Sequence, residues 1–376
     1  MNDGETCKPT TADDPAHSER VAGCLLGGAV GDALGAPIEF MRLSEIRERF
    51  GPKGLTEFVP AYGKLGAITD DTQMTLFTAE GLLRATCRGR LKGICDGPTV
   101  VHFAYLRWLK TQGYQAESEG SRFATENLPT LGPPGDMPNG WLMSVNELHA
   151  RRGPGNTCLD ALKSGTFGRV EAPPLNDSKG CGGVMRAAPA GILGESVERA
   201  FELGCQTSVI THGHPTGWLA GGALAVIVRV LLEGRSLLGA VNEAVRMLET
   251  HERSGECREA LTAAVTLAGK GRPTAEKLTT LGEGWVAEEA LAIGVYAALA
   301  AGTFREGVLL AVNHSGDSDS TGSIAGNILG AALGQGAIPA RWLEQLELRD
   351  VIEQVAADLV TGFEETQEWW RRYPGC

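Results

Sequence analysis

The sequence predicts an all-α protein that folds as one domain. Apolar residues recur four positions apart in segments such as Val295 to Leu299 and Val355 to Phe363, which is the spacing of one helix face. Alternating apolar and polar runs, typical of half-buried strands, are scarce. Two segments also carry glycine at every fourth position. We place the domain at residues 19–372, after a polar N-terminal tail, residues 1–18, that is predicted to be disordered.

The composition excludes several classes of protein. The chain has 376 residues, 43% hydrophobic and 21% charged, with a formal net charge of -12 and no basic stripe for nucleic acid. Its nine cysteines are odd in number and form no C-x-x-C pair, so neither a disulfide framework nor a zinc cluster is indicated and a cytoplasmic location is expected. The most apolar run, residues 217–232, is interrupted by Arg229, so no membrane contact is expected.

The first predicted helix runs from about Glu19 to Leu34 and carries glycines at positions 23, 27, 31 and 35. The same spacing returns at positions 322, 326, 330 and 334. Residues four apart lie on one helix face, where glycine allows a second helix to approach closely. We therefore predict that the two glycine stripes pack against each other in the centre of the molecule.

A break follows the first stripe at Pro37, which cannot continue a helix. Asp32 lies inside the apolar helix before this break, where a buried carboxylate needs a partner. We interpret Asp32 as a cap for a neighbouring element, with contact to a metal site as the alternative. Glu39 is expected to be exposed after the break and is the better candidate for a functional carboxylate, unless it is only a solvated surface residue.

Two short acidic stretches each open a predicted helix. Residues 69–72, Thr-Asp-Asp-Thr, precede a helix that continues to about Arg84, and residues 314–322, His-Ser-Gly-Asp-Ser-Asp-Ser-Thr-Gly, precede the second glycine stripe. Either stretch could be a simple helix N-cap. A calcium-binding EF-hand loop is excluded, because its twelfth position counted from Asp317 is Ile328 instead of a glutamate.

The repetition of this acidic chemistry is more informative than either copy alone. If the two stretches meet, four carboxylates share one site, and at ~5 Å with an effective dielectric near 20 each like-charge pair costs roughly 3 kcal/mol. Such a site stays ionised only when cations are bound. Ligands that are all carboxylate or hydroxyl oxygens favour Mg²⁺ or Mn²⁺ over zinc, and two ions could share them.

Two later motifs are candidates for substrate binding. The loop Asn176 to Arg186 is polar and rich in glycine and leads into a helix, where backbone N–H groups suit phosphate oxygens. It lacks the ending of a P-loop, and Met185 stands where a dinucleotide motif needs its third glycine, so a plain connecting loop is the alternative. The stretch 211–217 contains two histidines. We predict that His212 is functional, although one of the two could simply cap a helix.

The middle of the chain is rich in turns. Residues 132–140 and 153–155 are candidates for the rim of a cleft. The segments Val101 to Lys110 and Trp141 to Ala150 are predicted to be amphipathic helices, to which we assign no function.

Five motifs in this order resemble the ADP-ribosylglycohydrolase family, of the dinitrogenase reductase-activating glycohydrolase type, over nearly the whole predicted domain. The motifs are Gly31-Asp32-Ala33-Leu34-Gly35, Thr69-Asp70-Asp71-Thr72, Gly180-Cys181-Gly182 with Met185-Arg186, Thr211-His212 with His214-Pro215-Thr216-Gly217, and Gly316-Asp317-Ser318-Asp319-Ser320-Thr321-Gly322. The resemblance implies a compact all-α domain, an orthogonal helical bundle, with a binuclear Mg²⁺ or Mn²⁺ centre at the base of a cleft.

The resemblance also implies roles for individual residues. The implied metal ligands are Thr69, Asp70, Asp71, Asp317, Asp319 and Ser320, and many relatives carry threonine at the last of these positions. Asp70 or Asp71 would be the catalytic base. The residues implied to bind ADP-ribose are Gly180, Cys181, Gly182, Gly183 and His212, to which we add Glu39. The glycine loop offers no aromatic residue to stack on adenine.

The Ser-Asp-Ser-Thr-Gly and His-Pro-Thr-Gly sequences are more similar to the branch of the family that acts on arginine than to the branch that acts on serine. They imply an enzyme that hydrolyses the N-glycosidic bond between arginine and ADP-ribose, with an ADP-ribosylated protein as substrate and free ADP-ribose as product. Separately, we expect the protein to be a monomer. Two alternatives stay open. One is hydrolysis of a serine, O-acetyl or nucleic-acid linkage, and the other is a non-catalytic ADP-ribose-binding regulatory or toxin-neutralising protein.

Overall fold

The computed structural model describes residues 14–115 and 140–374, and these residues form helices joined by loops. Within these ranges the only β structure is three isolated bridges, so the predicted all-α class is confirmed. The α-helices are α1 Pro15–Gly35, α2 Leu43–Phe50, α3 Asp70–Lys92, α4 Gly97–Thr111, α5 Asn156–Lys163, α6 Ala188–Leu193, α7 Val197–Val209, α8 Pro215–Leu232, α9 Leu237–Leu248, α10 Gly255–Ala268, α11 Ala275–Leu278, α12 Ala287–Ala300, α13 Phe304–Val312, α14 Ser318–Leu333, α15 Ala340–Gln345, α16 Arg349–Thr361 and α17 Gln367–Arg372. Short 3₁₀ helices span Trp141–Ser144, Asn146–His149, Cys181–Gly183 and Gln335–Ala337.

Helix α1 begins at Pro15, four residues before the predicted start at Glu19. Asp14 is its N-cap and accepts a hydrogen bond from the Ala16 N–H at 3.0 Å, and proline is favourable at the first helical position. The predicted tail therefore ends earlier than residue 18. Residues 1–13, and most of the predicted rim segment 132–140, lie outside the described residues.

The predicted amphipathic helix from Trp141 to Ala150 is wrong, because two 3₁₀ turns separated by an extended Val145 replace it. Leu142 and Leu148 are the buried residues of the two turns. Residues six apart face the same side of a structure with three residues per turn, but different sides of an α-helix. Helix α3, in contrast, extends past the predicted Arg84 to Lys92.

Helix α8 forms the centre of the molecule. It is long and apolar enough to cross a membrane by length and composition, but 94% of that stretch is buried inside the protein. A helix that is apolar on all sides needs neighbours on all sides, and α7, α9 and α12 are among the helices that pack against α8. Its burial is typical of a core helix.

The two glycine stripes pack against each other along α1 and α14, as the sequence predicts. A Cβ atom added at Gly31 would lie 1.9 Å from the Gly322 carbonyl oxygen, and one at Gly27 would lie 2.4 Å from the Gly326 carbonyl oxygen. These distances leave no room for a methyl group on either helix. Because ascending positions on α1 meet descending positions on α14, the two helices run antiparallel.

We expect the substitution Gly27→Ala to lower the free energy of unfolding by about 2 kcal/mol. Overpacking against backbone costs about 3 kcal/mol, whereas alanine regains about 1 kcal/mol of helix propensity. Urea denaturation of the purified protein measures the change. Gly336→Ala is the matched control, since a Cβ atom there meets no heavy atom within 4 Å. Equal stability of the two variants would show that the stripe does not require glycine.

Candidate active site

Five carboxylates meet at a cavity of about 230 Å³. The cavity lies where the turn after α1 and the N-termini of α3 and α14 approach the glycine loop at residues 180–183. The oxygen-bearing side chains in its acidic wall are Glu39, Asp70, Asp71, Asp317, Asp319 and Ser320. The two acidic stretches therefore meet in one cavity, which is the condition on which the predicted cation site depends.

Asp317 both caps α14 and faces the cavity, so the two interpretations of its motif are compatible. Its Oδ1 atom accepts a hydrogen bond from the Ser320 N–H at 3.3 Å, and Asp319 Oδ1 accepts from the same N–H at 3.0 Å. Gly316 makes the preceding turn with a φ of 125°, a conformation that glycine adopts without strain.

The N-terminus of α3 is held by Asp32, which reaches across from α1. The Asp32 carboxylate accepts hydrogen bonds from the N–H groups of Thr69 at 3.0 Å and Thr72 at 3.1 Å, which is the capping role that we preferred. Thr69 also accepts from the Asp71 N–H at 3.3 Å through its hydroxyl. Thr69 is buried and is not among the described residues that line the cavity, unlike the other five predicted ligands.

The prediction that Glu39 is exposed is wrong, because only 8% of the residue is accessible. Residues 36–40 form a turn that Ile38, fully buried, anchors in the core. This turn folds the Glu39 carboxylate back over the acidic residues of α14. Ligand atoms from Glu39, Asp317 and Asp319 all lie within 4.8 Å of one another, so Glu39 joins the candidate cation ligands.

Burial makes these carboxylates difficult to ionise without cations. Desolvation, followed by the charges of Asp317 and Asp32, raises the pKa of Glu39 to about 8. Desolvation also raises the pKa values of Asp70, Asp71 and Asp319 well above their usual range, and the charges of neighbouring carboxylates raise these pKa values further.

The donor atoms fit hard divalent cations. No lysine or arginine is among the described residues that line the cavity, so no fixed cation in its wall balances the carboxylates. The Asp71 Oδ1 atom is buried without a hydrogen-bond partner. Such an atom is costly unless it gains a partner, and a set of carboxylate and hydroxyl oxygens suits Mg²⁺ or Mn²⁺.

The glycine loop is fixed against the segment before α12. The Cys181 N–H donates to the Trp285 carbonyl at 3.2 Å, and the Ala287 N–H donates to the Lys179 carbonyl at 2.8 Å. The Cys181 thiol donates to Asp317 Oδ2 at 2.7 Å. Its side chain therefore faces the acidic wall, and Gly180 and Gly182 contribute to the cavity lining beside it.

His212 lies beneath the glycine loop and lines the cavity. Its Nδ1 atom is hydrogen-bonded to the Thr211 hydroxyl at 2.8 Å. Burial, and then the charge of Arg186, lowers the pKa of His212 to about 3, so the ring is neutral. His214 has the separate role of capping α8, since its Nδ1 atom accepts from the Thr216 N–H at 3.2 Å.

Several cavity residues escaped the sequence analysis. Trp285 lines the cavity, is 39% exposed and stacks on the exposed Phe40 with ring centroids 5.6 Å apart. Asn156, Thr157 and Cys158 line it from the start of α5. None of them belongs to a recognisable motif, and the only local signal is the turn that Gly284 makes before Trp285, with a φ of 83°.

A buried ion pair attaches the loop before α5 to the start of α3. Both terminal nitrogens of the Arg152 guanidinium contact the Glu347 carboxylate, and one of them also donates to the Ile68 carbonyl at 3.0 Å. The Arg152 carbonyl in turn accepts from the Asp70 N–H at 3.1 Å. The backbone at Asp70 therefore depends on Glu347.

We expect Glu347→Gln to destabilise the protein at pH 7 by about 3 kcal/mol, because it leaves the Arg152 charge buried and unpaired. Burial alone would raise the pKa of Glu347, but Arg152 and Lys64 outweigh it and lower this pKa below its usual value. The ion pair therefore stabilises the fold above pH ~4.3, the pKa of an unfolded glutamate, and this stabilisation is lost as the pH falls through the lowered pKa.

Urea denaturation at a series of pH values measures this effect. The difference between wild type and Glu347→Gln should shrink as the solution becomes acidic. The exposed neighbour Glu344, changed to glutamine, is the matched control and should show no such difference. A difference that does not depend on pH would rule out the ion pair as its cause.

Comparisons with known proteins agree with this geometry. A family model described as ADP-ribosylglycohydrolase matches residues 13–369. The chain is 28% identical to the ADP-ribosyl-dinitrogen reductase glycohydrolase of Rhodospirillum rubrum, over 91% of this chain and 96% of that protein. It is 25% identical to the ADP-ribosylarginine hydrolase Tri1 of Serratia proteamaculans, over 91% and 79% of the two chains. A solved structure, titled ADP-ribosylglycohydrolase-related protein complex, matches with a TM-score of 0.63 and 26% identity, covering 92% of this chain and 98% of its own.

Proposed function

Because the chain belongs to the ADP-ribosylglycohydrolase family, we propose that it removes ADP-ribose from the arginine side chains of modified proteins. Hydrolysis of ADP-ribose linkages is the activity of the family, and the arginine linkage is our inference. The observation that carries this inference is the acidic cavity, in which Glu39, Asp70, Asp71, Asp317 and Asp319 meet beside the glycine loop. A wall of carboxylates favours a leaving group that departs as a cation, as a guanidinium does.

The acidic wall would hold two Mg²⁺ or Mn²⁺ ions through Glu39, Asp70, Asp71, Asp317, Asp319 and Ser320, with Thr69 as a further ligand. When bound, such ions lower the pKa of a water molecule and stabilise negative charge on oxygen. Asp70 or Asp71 takes the proton of the attacking water as general base. The buried, unpartnered Asp71 Oδ1 is an oxygen available for this proton.

The bond that breaks joins the anomeric carbon of the ribose to a guanidine nitrogen. As this bond lengthens, positive charge develops on the sugar ring, and the acidic wall stabilises it. The departing guanidine gains the proton that Asp70 or Asp71 took from the water and leaves as a guanidinium, while the water oxygen becomes the new hydroxyl of free ADP-ribose. The carboxylates therefore stabilise the positive charge of the transition state on both sides of the breaking bond, on the ribose ring and on the guanidine.

The opposite wall suits ADP-ribose. Gly180, Cys181 and Gly182 bring peptide groups to the cavity without bulky side chains, whereas Gly183 is not among the described lining residues. The N–H groups of Gly180 and Cys181 already donate to Ser178 and Trp285, so we assign the diphosphate to other N–H groups of this loop. His212 is neutral and can hydrogen-bond a ribose hydroxyl or phosphate oxygen. Trp285 offers the aromatic surface for adenine that the glycine loop lacks.

The partners in this proposal are an ADP-ribosylated protein as substrate and free ADP-ribose as product. The formal net charge of -12 makes nucleic acid an unfavourable partner. We place the enzyme in the cytoplasm as a monomer.

We expect the purified protein with Mg²⁺ or Mn²⁺ to release free ADP-ribose from an ADP-ribosylarginine peptide, and EDTA to stop this release reversibly. Asp70→Asn should lower kcat by about a thousandfold, because it removes one of the two carboxylates proposed as general base and cation ligand. Asp317→Asn should also abolish divalent-cation binding in calorimetry. Asp160→Asn is the matched control, since the Asp160 side chain is 75% exposed on α5.

A panel of linkages decides between the alternatives. Release from serine-linked or O-acetyl-ADP-ribose, with none from the arginine peptide, would replace the arginine assignment. Tight binding of ADP-ribose without turnover of any linkage would indicate a regulatory or toxin-neutralising protein. Full activity of Asp70→Asn and Asp317→Asn would disprove the assignment of the acidic wall.

We expect Trp285→Ala to raise KM for the arginine-linked substrate by about tenfold with little change in kcat. Stacking of a base on an aromatic ring contributes about 1–3 kcal/mol, and this contact is the same in the ground state and the transition state. Trp285→Phe should keep most of the affinity. Steady-state kinetics measures both constants, and a fall in kcat at constant KM would contradict an adenine-binding role.

A further inference from the structure

Tyr62 occupies a turn position that disfavours tyrosine. Residues 61–64 form a hairpin turn. The Ala61 N–H donates to the Lys64 carbonyl at 3.0 Å, and the Lys64 N–H donates to the Ala61 carbonyl at 2.9 Å. Tyr62 and Gly63 have positive φ angles, 51° and 77°. This is the type I′ turn, which favours Asn, Asp or Gly at its first central position.

A bulky residue in this conformation is uncommon. Within the described ranges, Tyr62 and Leu348 are the non-glycine residues with positive φ. Such backbone strain costs about 1–3 kcal/mol, and strained residues cluster at functional sites. The position of the Tyr62 side chain indicates a function for it.

The Tyr62 hydroxyl lies beside the acidic wall. A Cβ atom added at Gly153 would lie 3.4 Å from this hydroxyl, 3.6 Å from Asp70 Oδ1 and 3.6 Å from Glu39 Oε2. The phenol and two of the carboxylates therefore surround the same glycine. Burial, and then the charges of Glu39 and Asp319, raise the pKa of Tyr62 above its usual value, so its hydroxyl remains protonated.

Tyr62 lies outside the wall that suits ADP-ribose. Gly153, Asp70 and Glu39 line the cavity, whereas Tyr62 is not among its described lining residues and is 47% exposed. The partly exposed ring therefore lies next to the carboxylates at the edge of the cavity and is not part of its glycine-loop wall. With ADP-ribose on the glycine-loop side, the group that leaves the anomeric carbon departs past Tyr62.

The Tyr62 ring already pairs with one guanidinium. The Arg152 Cζ atom lies 5.7 Å from the ring centroid, and the Glu347 carboxylate and the Ile68 carbonyl fix the Arg152 head group. Electron-rich aromatic faces attract guanidinium groups. The exposed surface of the Tyr62 ring is available to a second guanidinium group.

We propose that Tyr62 determines leaving-group specificity by stacking its exposed ring surface on the guanidinium of the substrate arginine. This inference rests on the proposed function and adds the residue that recognises the modified arginine. Arg152 holds the ring in place, and the strained turn projects it over the entrance. The strain at Tyr62 is then the cost of placing an aromatic ring where the turn itself favours asparagine.

Tyr62→Asn tests the proposal, because asparagine relaxes the turn while removing the ring. We expect its melting temperature to equal or exceed that of wild type, and its Kd for ADP-ribose, measured by calorimetry with Mg²⁺, to stay the same. Its kcat/KM for an ADP-ribosylarginine peptide should fall about tenfold, as for one desolvated cation–π contact. Tyr62→Phe keeps the ring and should retain nearly full kcat/KM.

Leu65→Asn is the matched control, since Leu65 is 40% exposed in the same loop and should tolerate the change in all three measurements. The proposal is overturned if Tyr62→Asn keeps the wild-type kcat/KM, loses affinity for ADP-ribose in parallel, or becomes less stable to the same extent as it loses activity. A wild-type protein that does not cleave the arginine peptide at all overturns the proposed function instead, and the contact with arginine along with it.

Discussion

The contact between the glycine faces of α1 and α14 determines where the chemistry of this protein can occur. The contact continues to the first turn of α14, where a Cβ atom added at Gly35 would lie 2.3 Å from the Asp319 backbone nitrogen. The end of α1 is therefore packed directly on the acidic motif. From the same helix Asp32 caps α3, and the following turn brings Glu39 over the cavity. One helix pair thus aligns all three acidic elements.

This arrangement concentrates negative charge that the fold only partly compensates. Asp70, Asp71, Asp317 and Asp319 all lie at helix N-termini, where the helix dipole favours carboxylates by up to ~2 kcal/mol in buried geometries. The raised pKa values indicate that desolvation and mutual repulsion of the carboxylates exceed the stabilisation from the helix dipoles. The divalent cations of the proposed function would relieve the remaining repulsion, and their binding would then be coupled to the stability of the folded state.

The sequence predicts those features that local patterns encode. The glycine periodicity identified the contact of α1 with α14, and two acidic stretches with repeated chemistry identified the cavity. Other features depend on how distant segments of the chain pack together, which no local sequence pattern predicts. They are the burial of Glu39, the position of Trp285 and the proposed role of Tyr62. The segment 141–150 was predicted wrongly for a different reason, because its composition is compatible with one amphipathic helix, whereas the extended Val145 divides it into two 3₁₀ turns.

The proposed substrate accounts for the difference between the two walls of the cavity. ADP-ribose carries an anionic diphosphate, whereas an arginine leaving group is cationic, so no uniform electrostatic environment suits both. The glycine loop and the neutral His212 present peptide groups without negative charge to the anionic part. The carboxylates and the Tyr62 ring lie beside each other, and it is there that we place the cations and the leaving group. In the proposed reaction the anomeric carbon is attacked at the boundary between the two walls, where charge must separate for the bond to break.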